Sequence, residues 1–284
     1  MKKVLVTGAT GFIGNYVVKE LCKYDCTVIA SSSNREKAIQ AGWFDRVTYI
    51  PFDLVSFDDA IDYYAFFDKP DIVIHLAWEG LPNYKSSFHE EINLPRHLSF
   101  ITNLTRNGLT DLTITGTCFE YGMREGCLDE EMPSLPGNSY GRAKNMLRQE
   151  LEKLKQQYTY SFKWTRLFYM YGEGQNPNSL LSQLNKALER GEKLFNMSGG
   201  NQVRDYLPVE KVAENIVKIA TQQKIDGIIN NCSGEPITVK AFVEQYLEKI
   251  NKHIILNFGY YPYPDYEPMR FWGDVTKLKK AINK

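Results

Sequence analysis

The chain has 284 residues, with 34 Lys plus Arg balanced by 34 Asp plus Glu, so no basic excess marks it for nucleic acid. That length buries a core that needs neither disulfide nor metal, and the five cysteines (Cys22, Cys26, Cys118, Cys127, Cys232) are an odd set that reads as free thiols. Lys2, Lys3 and a short apolar run meet a glycine at Gly8, too few residues for a signal peptide or membrane span, so a cytoplasmic protein is expected; His75, His89, His97 and His253 show no ligand spacing, so no metal is expected.

In chain order, short β-branched runs predict strands at 4–7, 27–30, 47–50, 71–76, 112–115 and 162–167. Helical patterns fill the gaps at 12–24, 35–41, 57–67, 90–107 and 139–158. This alternation predicts an α/β fold, a doubly wound parallel sheet with right-handed crossovers. Beyond Gly172 the texture changes to Gly, Pro, Asn and Tyr clusters, which predicts a smaller, loop-rich region. Such a region would cap the carboxyl edge of the sheet, where doubly wound folds bind ligands.

The first strand runs into Gly8-Ala9-Thr10-Gly11-Phe12-Ile13-Gly14 and a helix follows at once. Gly8 permits a tight turn, Gly11 lets backbone approach a pyrophosphate, and Gly14 seats helix against strand, with Thr10, Phe12 and Ile13 completing the loop. This context predicts dinucleotide binding in a Rossmann domain over 1–170, rejoined by the chain around 204–232, with 171–203 and 233–284 forming a substrate-binding domain.

The second strand ends in Ser31-Ser32-Ser33-Asn34-Arg35, where an NAD site would carry an acid for the ribose hydroxyl. Hydroxyl and amide donors beside Arg35 suit the 2′-phosphate of NADP, and NAD is expected less. The same residues also fit a helix cap followed by a solvated charge. Asp53, beside Leu54, reads as either an adenine contact or a turn residue.

After the fifth strand come Thr115-Gly116-Thr117-Cys118-Phe119-Glu120-Tyr121-Gly122, and later Tyr140-Gly141-Arg142-Ala143-Lys144 opens a helix. Residues four apart share a helix face, so the Lys144 ammonium is expected beside the Tyr140 phenol. A cation there would lower the phenol pKa from about 10 toward neutrality, as a general acid or base requires.

These motifs resemble the extended short-chain dehydrogenase/reductases, in the branch of nucleotide-sugar epimerases, dehydratases and 4-ketoreductases. The likeness extends to His75-Leu76-Ala77, Asn93, Arg166 with Tyr171-Gly172, Arg204-Asp205-Tyr206, and Arg270 ahead of Asp274. It implies that Thr117, Tyr140 and Lys144 are catalytic: Tyr140 exchanges a proton with the sugar oxygen, Lys144 also holds the nicotinamide ribose, and Thr117 hydrogen-bonds the carbonyl. Leu76, Ala77, Trp78 and Asn93 would join the cofactor site.

For the substrate, the resemblance implies contacts from Trp78, Glu79, Tyr84, Thr117, Cys118, Phe119, Asn178 and Ser179, with Arg204 and Arg270 as pyrophosphate clamps or else surface charges. Tyr169 stands where relatives often carry a phosphate-contacting asparagine. The loop 77–84 either lines the sugar pocket or merely packs through Trp78. The family's 4,6-dehydratases place an Asp-Glu pair where Cys118-Phe119 stand, so dehydration is disfavoured.

The expected function is therefore NADPH-dependent reduction of a nucleotide-linked 4-keto-6-deoxyhexose, dTDP-linked and yielding a sugar such as dTDP-fucose or dTDP-6-deoxytalose. Its product would feed surface polysaccharide, such as the O-antigen of lipopolysaccharide. A 4-epimerase with retained NAD and a non-catalytic NADP-binding sensor are the alternatives. Family analogy adds a homodimer through the helices at 90–107 and 139–158.

Overall fold

The β-branched runs form a seven-stranded, fully parallel sheet in the computed structural model, which describes residues 1–283. Its strands are β1 (Lys2–Thr7), β2 (Cys26–Ser31), β3 (Thr48–Tyr49), β4 (Ile72–His75), β5 (Asp111–Thr117), β6 (Ser161–Leu167) and β7 (Gly227–Asn231). The order β7-β6-β5-β4-β1-β2-β3 reverses between β1 and β4, which opens a crevice at their carboxyl ends.

Side chains alternate across each strand, so β1 feeds two cores. Val4 and Val6 meet α1 (Phe12–Leu21) through Val17 and Leu21 on one face. Leu5 shares the opposite core with Phe100 and Leu104 of α4 (Leu94–Arg106) and Leu147 and Leu151 of α5 (Ser139–Leu154). Two shorter helices, α2 (Arg35–Gln40) and α3 (Tyr63–Phe66), lie between α1 and α4 in the chain.

Four predicted helices differ from the observed ones. The Asp58 side chain accepts the Ala60 amide and Asp62 caps the Ala65 amide, so the 57–67 stretch yields only α3. A π-helical turn over His89–Asn93 precedes α4, the chain leaves α5 at Leu154, and α1 closes at Leu21 rather than at residue 24.

Beyond Gly172 a third core joins Leu181 and Leu184 of α6 (Leu180–Glu189) to Phe242 and Val243 of α8 (Val239–Lys249). Tyr206 stacks on Phe242 at 3.8 Å between ring centres, tying this region to the strand Val203–Pro208. The helix α7 (Val209–Thr221) returns to cover α1, and α9 (Thr276–Ile282) closes over β7. Among the described residues, no helix is long and apolar enough to cross a membrane.

Candidate active site

Bare backbone shapes the loop after β1. Gly8 has φ +70°, and a Cβ there would lie 2.7 Å from the Ala77 amide nitrogen; a Cβ on Gly14 would collide with the Gly8 carbonyl. The Gly11 amide closes the turn onto the Gly8 carbonyl at 3.0 Å, leaving the N-terminus of α1 facing the crevice.

A cavity of about 200 Å³ opens there, lined by Thr7, Gly8, Thr10 and Gly11 from this loop and by Ser31, Ser32 and Ser33 at the end of β2. Of the other residues expected at the cofactor, Asp53, Leu54, Leu76, Ala77, Trp78 and Asn93 line it too, joined by Glu79, which was expected at the substrate. Sequence reasoning missed Thr7, Phe52, Arg96, His97 and Phe100, which also line it. Their pattern reads only as core or surface helix.

Phe12, Ile13, Gly14, Asn34, Arg35, Tyr140 and Lys144 fall outside the lining. The Asn34 side chain is engaged in capping α2 by accepting the Lys37 amide at 2.8 Å, and Arg35 is exposed. Asp53 likewise caps its own turn through the Val55 amide at 2.9 Å. The buried Asn93 Oδ1 has no partner, so the cavity holds an unmet acceptor as well as a glycine cradle, and both fit a dinucleotide with hydroxyl and amide donors.

Beneath the cavity, Thr7 Oγ1 meets His75 Nδ1 at 2.8 Å and His75 Nε2 meets His97 Nδ1 at 2.7 Å. Burial, then the Lys144 charge, pulls His75 down to about 3, and burial and His75 pull His97 well below its ordinary range. Both rings are therefore neutral, and each shares a proton rather than carrying a charge.

Thr117, Tyr140 and Lys144 come together at the end of β5 and the first turns of α5. The Asn138 side chain caps that helix by accepting the Gly141 amide at 2.8 Å, and the Tyr140 amide donates to the Tyr84 carbonyl at 3.0 Å. The phenol lies among Tyr84, His89, Trp78 and Phe119, with ring centres 5.3 to 6.4 Å away.

One expectation is corrected here. The Lys144 ammonium donates to the Thr115 carbonyl at 2.9 Å and lies 3.9 Å from the centre of the Trp78 ring, and Tyr140 is shifted up rather than down. Burial raises the phenol well above its usual range, with Tyr84, Glu120 and Cys118 adding to it and only Thr117 opposing. The aromatic enclosure penalises phenolate, and the lysine is engaged by the Thr115 carbonyl and the Trp78 ring instead. Burial also lowers Lys144 to about 7, against the opposing pull of Glu120.

Among the residues expected at the substrate, Tyr84 packs on Phe119 at 4.9 Å, and both touch Tyr266 of the segment 260–268. Cys118 is buried and its thiol is pushed far up by burial. The Tyr169 hydroxyl is buried without a partner. Glu79 is exposed, 3.6 Å from Arg96.

The expected phosphate clamps differ from one another. Arg270 is exposed, whereas Arg204 is 1% exposed and donates to Glu267 at 2.8 Å and to the carbonyls of Val203 and Met269. Glu267 was invisible to sequence reasoning because its partner lies 63 positions away. Asn178 lies in a separate cleft with Gln183, Lys186, Arg190 and Asn196, and the Ser179 hydroxyl donates to Ser182 at 2.8 Å. Among the described residues, no group of three or more His, Cys, Asp or Glu could hold a metal ion.

Residues 4–232 match the sequence profile of the NAD dependent epimerase/dehydratase family. The chain is 28% identical over 271 residues to a dTDP-6-deoxy-L-talose 4-dehydrogenase (NAD(+)) of Aggregatibacter actinomycetemcomitans, covering 95% of this chain and 98% of that one. It is 23% identical to a dTDP-4-dehydro-6-deoxyglucose reductase of Escherichia coli, over 90% of this chain and 84% of the relative. The solved UDP-N-acetylglucosamine 4-epimerase of Methanobrevibacter ruminantium M1 superposes with a TM-score of 0.85 at 22% identity, covering 100% of this chain and 92% of that one, a likeness of fold.

Proposed function

The chain belongs to the NAD dependent epimerase/dehydratase family, as an oxidoreductase of its nucleotide-sugar branch, and from that premise we propose that it reduces C4 of a nucleotide-linked 4-keto-6-deoxyhexose. The observation that carries this reading is a neutral phenol, Tyr140, set beside Thr117 with no carboxylate at Cys118 or Phe119. Dehydration would need an acid and a base there; ketone reduction needs only proton donors.

A nicotinamide dinucleotide, when bound, would supply the hydride for C4. Tyr140, kept protonated by burial, gives its proton to the sugar oxygen as negative charge builds there. The Thr117 hydroxyl donates to the same oxygen, in a site walled by Tyr84, Phe119 and Trp78. Lys144 would hold the nicotinamide ribose and bring positive charge to the same end of the site. Run backwards, the same groups oxidise a 4-hydroxyl, which is the direction in the name of the Aggregatibacter relative.

The backbone of Gly8, Thr10 and Gly11 would hold the pyrophosphate, and Asp53 with Leu54 the adenine. Ser31 to Ser33, with no carboxylate at the strand end, support NADP(H), with Asn34 and Arg35 at its margin. The NAD(+) in that relative's name favours NAD(H) as the second reading. The cleft of Asn178, Gln183 and Asn196 offers amide groups for a pyrimidine base, with Lys186 and Arg190 at its edge. A dTDP-linked deoxysugar destined for surface polysaccharide fits this set.

Pro95, Ser99, Met146 and Gln149 face outward on α4 and α5, and they support a homodimer across those helices.

The decisive experiment follows NADPH and NADH oxidation with dTDP-, CDP- and GDP-linked 4-keto-6-deoxy sugars, with product configuration read by NMR. Turnover without added cofactor by protein carrying stoichiometric NAD would replace the reductase with a 4-epimerase.

A further inference from the structure

Glu120 has no role in the chemistry above, yet it sits under all three reacting side chains. It is 0% exposed. One carboxylate oxygen accepts the Thr117 amide and the Trp164 indole N–H, each at 2.9 Å. The other accepts Arg166 Nε at 2.8 Å, with Arg148 Nε at 3.9 Å. All of these neighbours are donors, which an ionised carboxylate satisfies and a protonated acid does not. A side chain on Gly116 would strike both Glu120 and Trp164, so bare backbone makes room for the group. Arg166 is itself fully buried and lies over the Tyr121 ring at 4.3 Å.

Two consequences reach the reacting groups. Thr117 and Glu120 form a reciprocal capping pair, in which Thr117 Oγ1 accepts the Phe119 amide at 3.3 Å while Glu120 holds the Thr117 amide. The Thr117 hydroxyl, accepting the Phe119 amide, keeps its own proton to donate beside the Tyr140 phenol. The second consequence is electrostatic. The titratable groups around Lys144 are His75 from β4, His89 and His97 from the α4 side, Tyr140 on its own helix, and Glu120 from the turn after β5. Those imidazoles are all shifted toward their neutral forms, so the Glu120 charge is what counters burial at Lys144.

We propose that Glu120 is a positioning residue of the hydride-transfer site, fixing Thr117 through its backbone and supplying the counter-charge that keeps the Lys144 ammonium available. The proposal rests on the function argued above.

Two full-length variants separate the roles. Glu120→Asp keeps the charge and withdraws it from Thr117: kcat is expected to fall about 10- to 100-fold with KM nearly unchanged and the pH dependence retained. Glu120→Gln keeps an oxygen for the Thr117 amide and removes the charge: the loss of NADPH affinity with rising pH is expected about one pH unit lower than in the wild type. Cofactor affinity needs no sugar, so a wild-type protein idle on every keto sugar overturns the reductase reading while this shift is still read.

Should Glu120→Gln precipitate, adding Arg166→Met removes the unpaired guanidinium and the same measurements apply. Variants that fold and match the wild type in kcat and pH dependence overturn the proposal. So does failure of all three to fold, which assigns Glu120 to the core alone.

Discussion

The Lys144 ammonium rests on the face of Trp78, 3.9 Å from the ring centre, where Trp78 also walls the cofactor cavity. The lysine pays for that dry position: its pKa is about 7 against an ordinary 10.5. A depressed value means that the stability linked to Lys144 is present above about pH 10.5 and is lost as the pH falls toward 7. Lys144→Met is therefore expected to melt at a higher temperature than wild type at pH 7, with the advantage fading toward pH 10, while turnover drops about 100-fold or more. Calorimetry across that range checks it; a variant less stable at pH 7 would mean that the Trp78 and Thr115 contacts outweigh burial.

Tyr140→Phe removes the proton donor without enlarging the site. Turnover is expected to fall about 10²- to 10⁴-fold, with NADPH affinity kept within about threefold. In the wild type, kcat/KM for the cofactor should decline above about pH 7 as Lys144 deprotonates, and no limb should come from Tyr140, whose phenol is shifted well above its usual range. Normal turnover in the Phe variant would remove the proposed chemistry.

His75 and His97 are each 1% exposed and held neutral. Their depressed pKa values give stability that is present above pH 6.5 and is lost as the pH falls, for His75 toward about 3 and for His97 through its own value well below the ordinary range, at up to about 1.4 kcal/mol per pH unit for each ring. His97→Gln removes one titrating ring. Urea titrations from pH 7 to 4 should show the variant losing less stability than the wild type over that interval; parallel losses would contradict the neutral pair.

Arg204 and Glu267, paired at 2.8 Å, put an internal carboxylate where an incoming diphosphate would otherwise compete. Glu267→Gln should bind dTDP and UDP several-fold more tightly by isothermal titration, because the guanidinium no longer has to exchange one anion for another. Unchanged or weaker binding would place the diphosphate elsewhere, with the exposed Arg270 as the next candidate.

The legible parts of this molecule are those where one local pattern has one physical meaning. Val4 to Thr7 running into three glycines specifies strand, turn and helix within a dozen positions. The unread parts depend on partners distant in the chain. A spacing of four correctly places Tyr140 and Lys144 on the buried face of α5, but the direction of the tyrosine shift is decided by Tyr84, Phe119 and Trp78 from other segments. Arg204 reads as a phosphate ligand until Glu267 is seen beside it. Glu120 carried one local signal, the Thr-x-x-Glu spacing of a capping box, and that spacing alone says nothing of Arg166 or Trp164.

The strand order has a bearing on how the molecule can be divided. β7 pairs with β6 from Gly227 opposite Lys163 to Asn231 opposite Leu167, and Leu207, Val212, Ile216 and Val217 fill the core beneath the glycine loop. A fragment ending near residue 170 would thus bare both a sheet edge and the underside of α1, inviting intermolecular strand pairing. The parallel sheet is finished only by chain that has already passed through the region beyond Gly172, so a fragment ending near residue 170 is expected to aggregate when expressed alone.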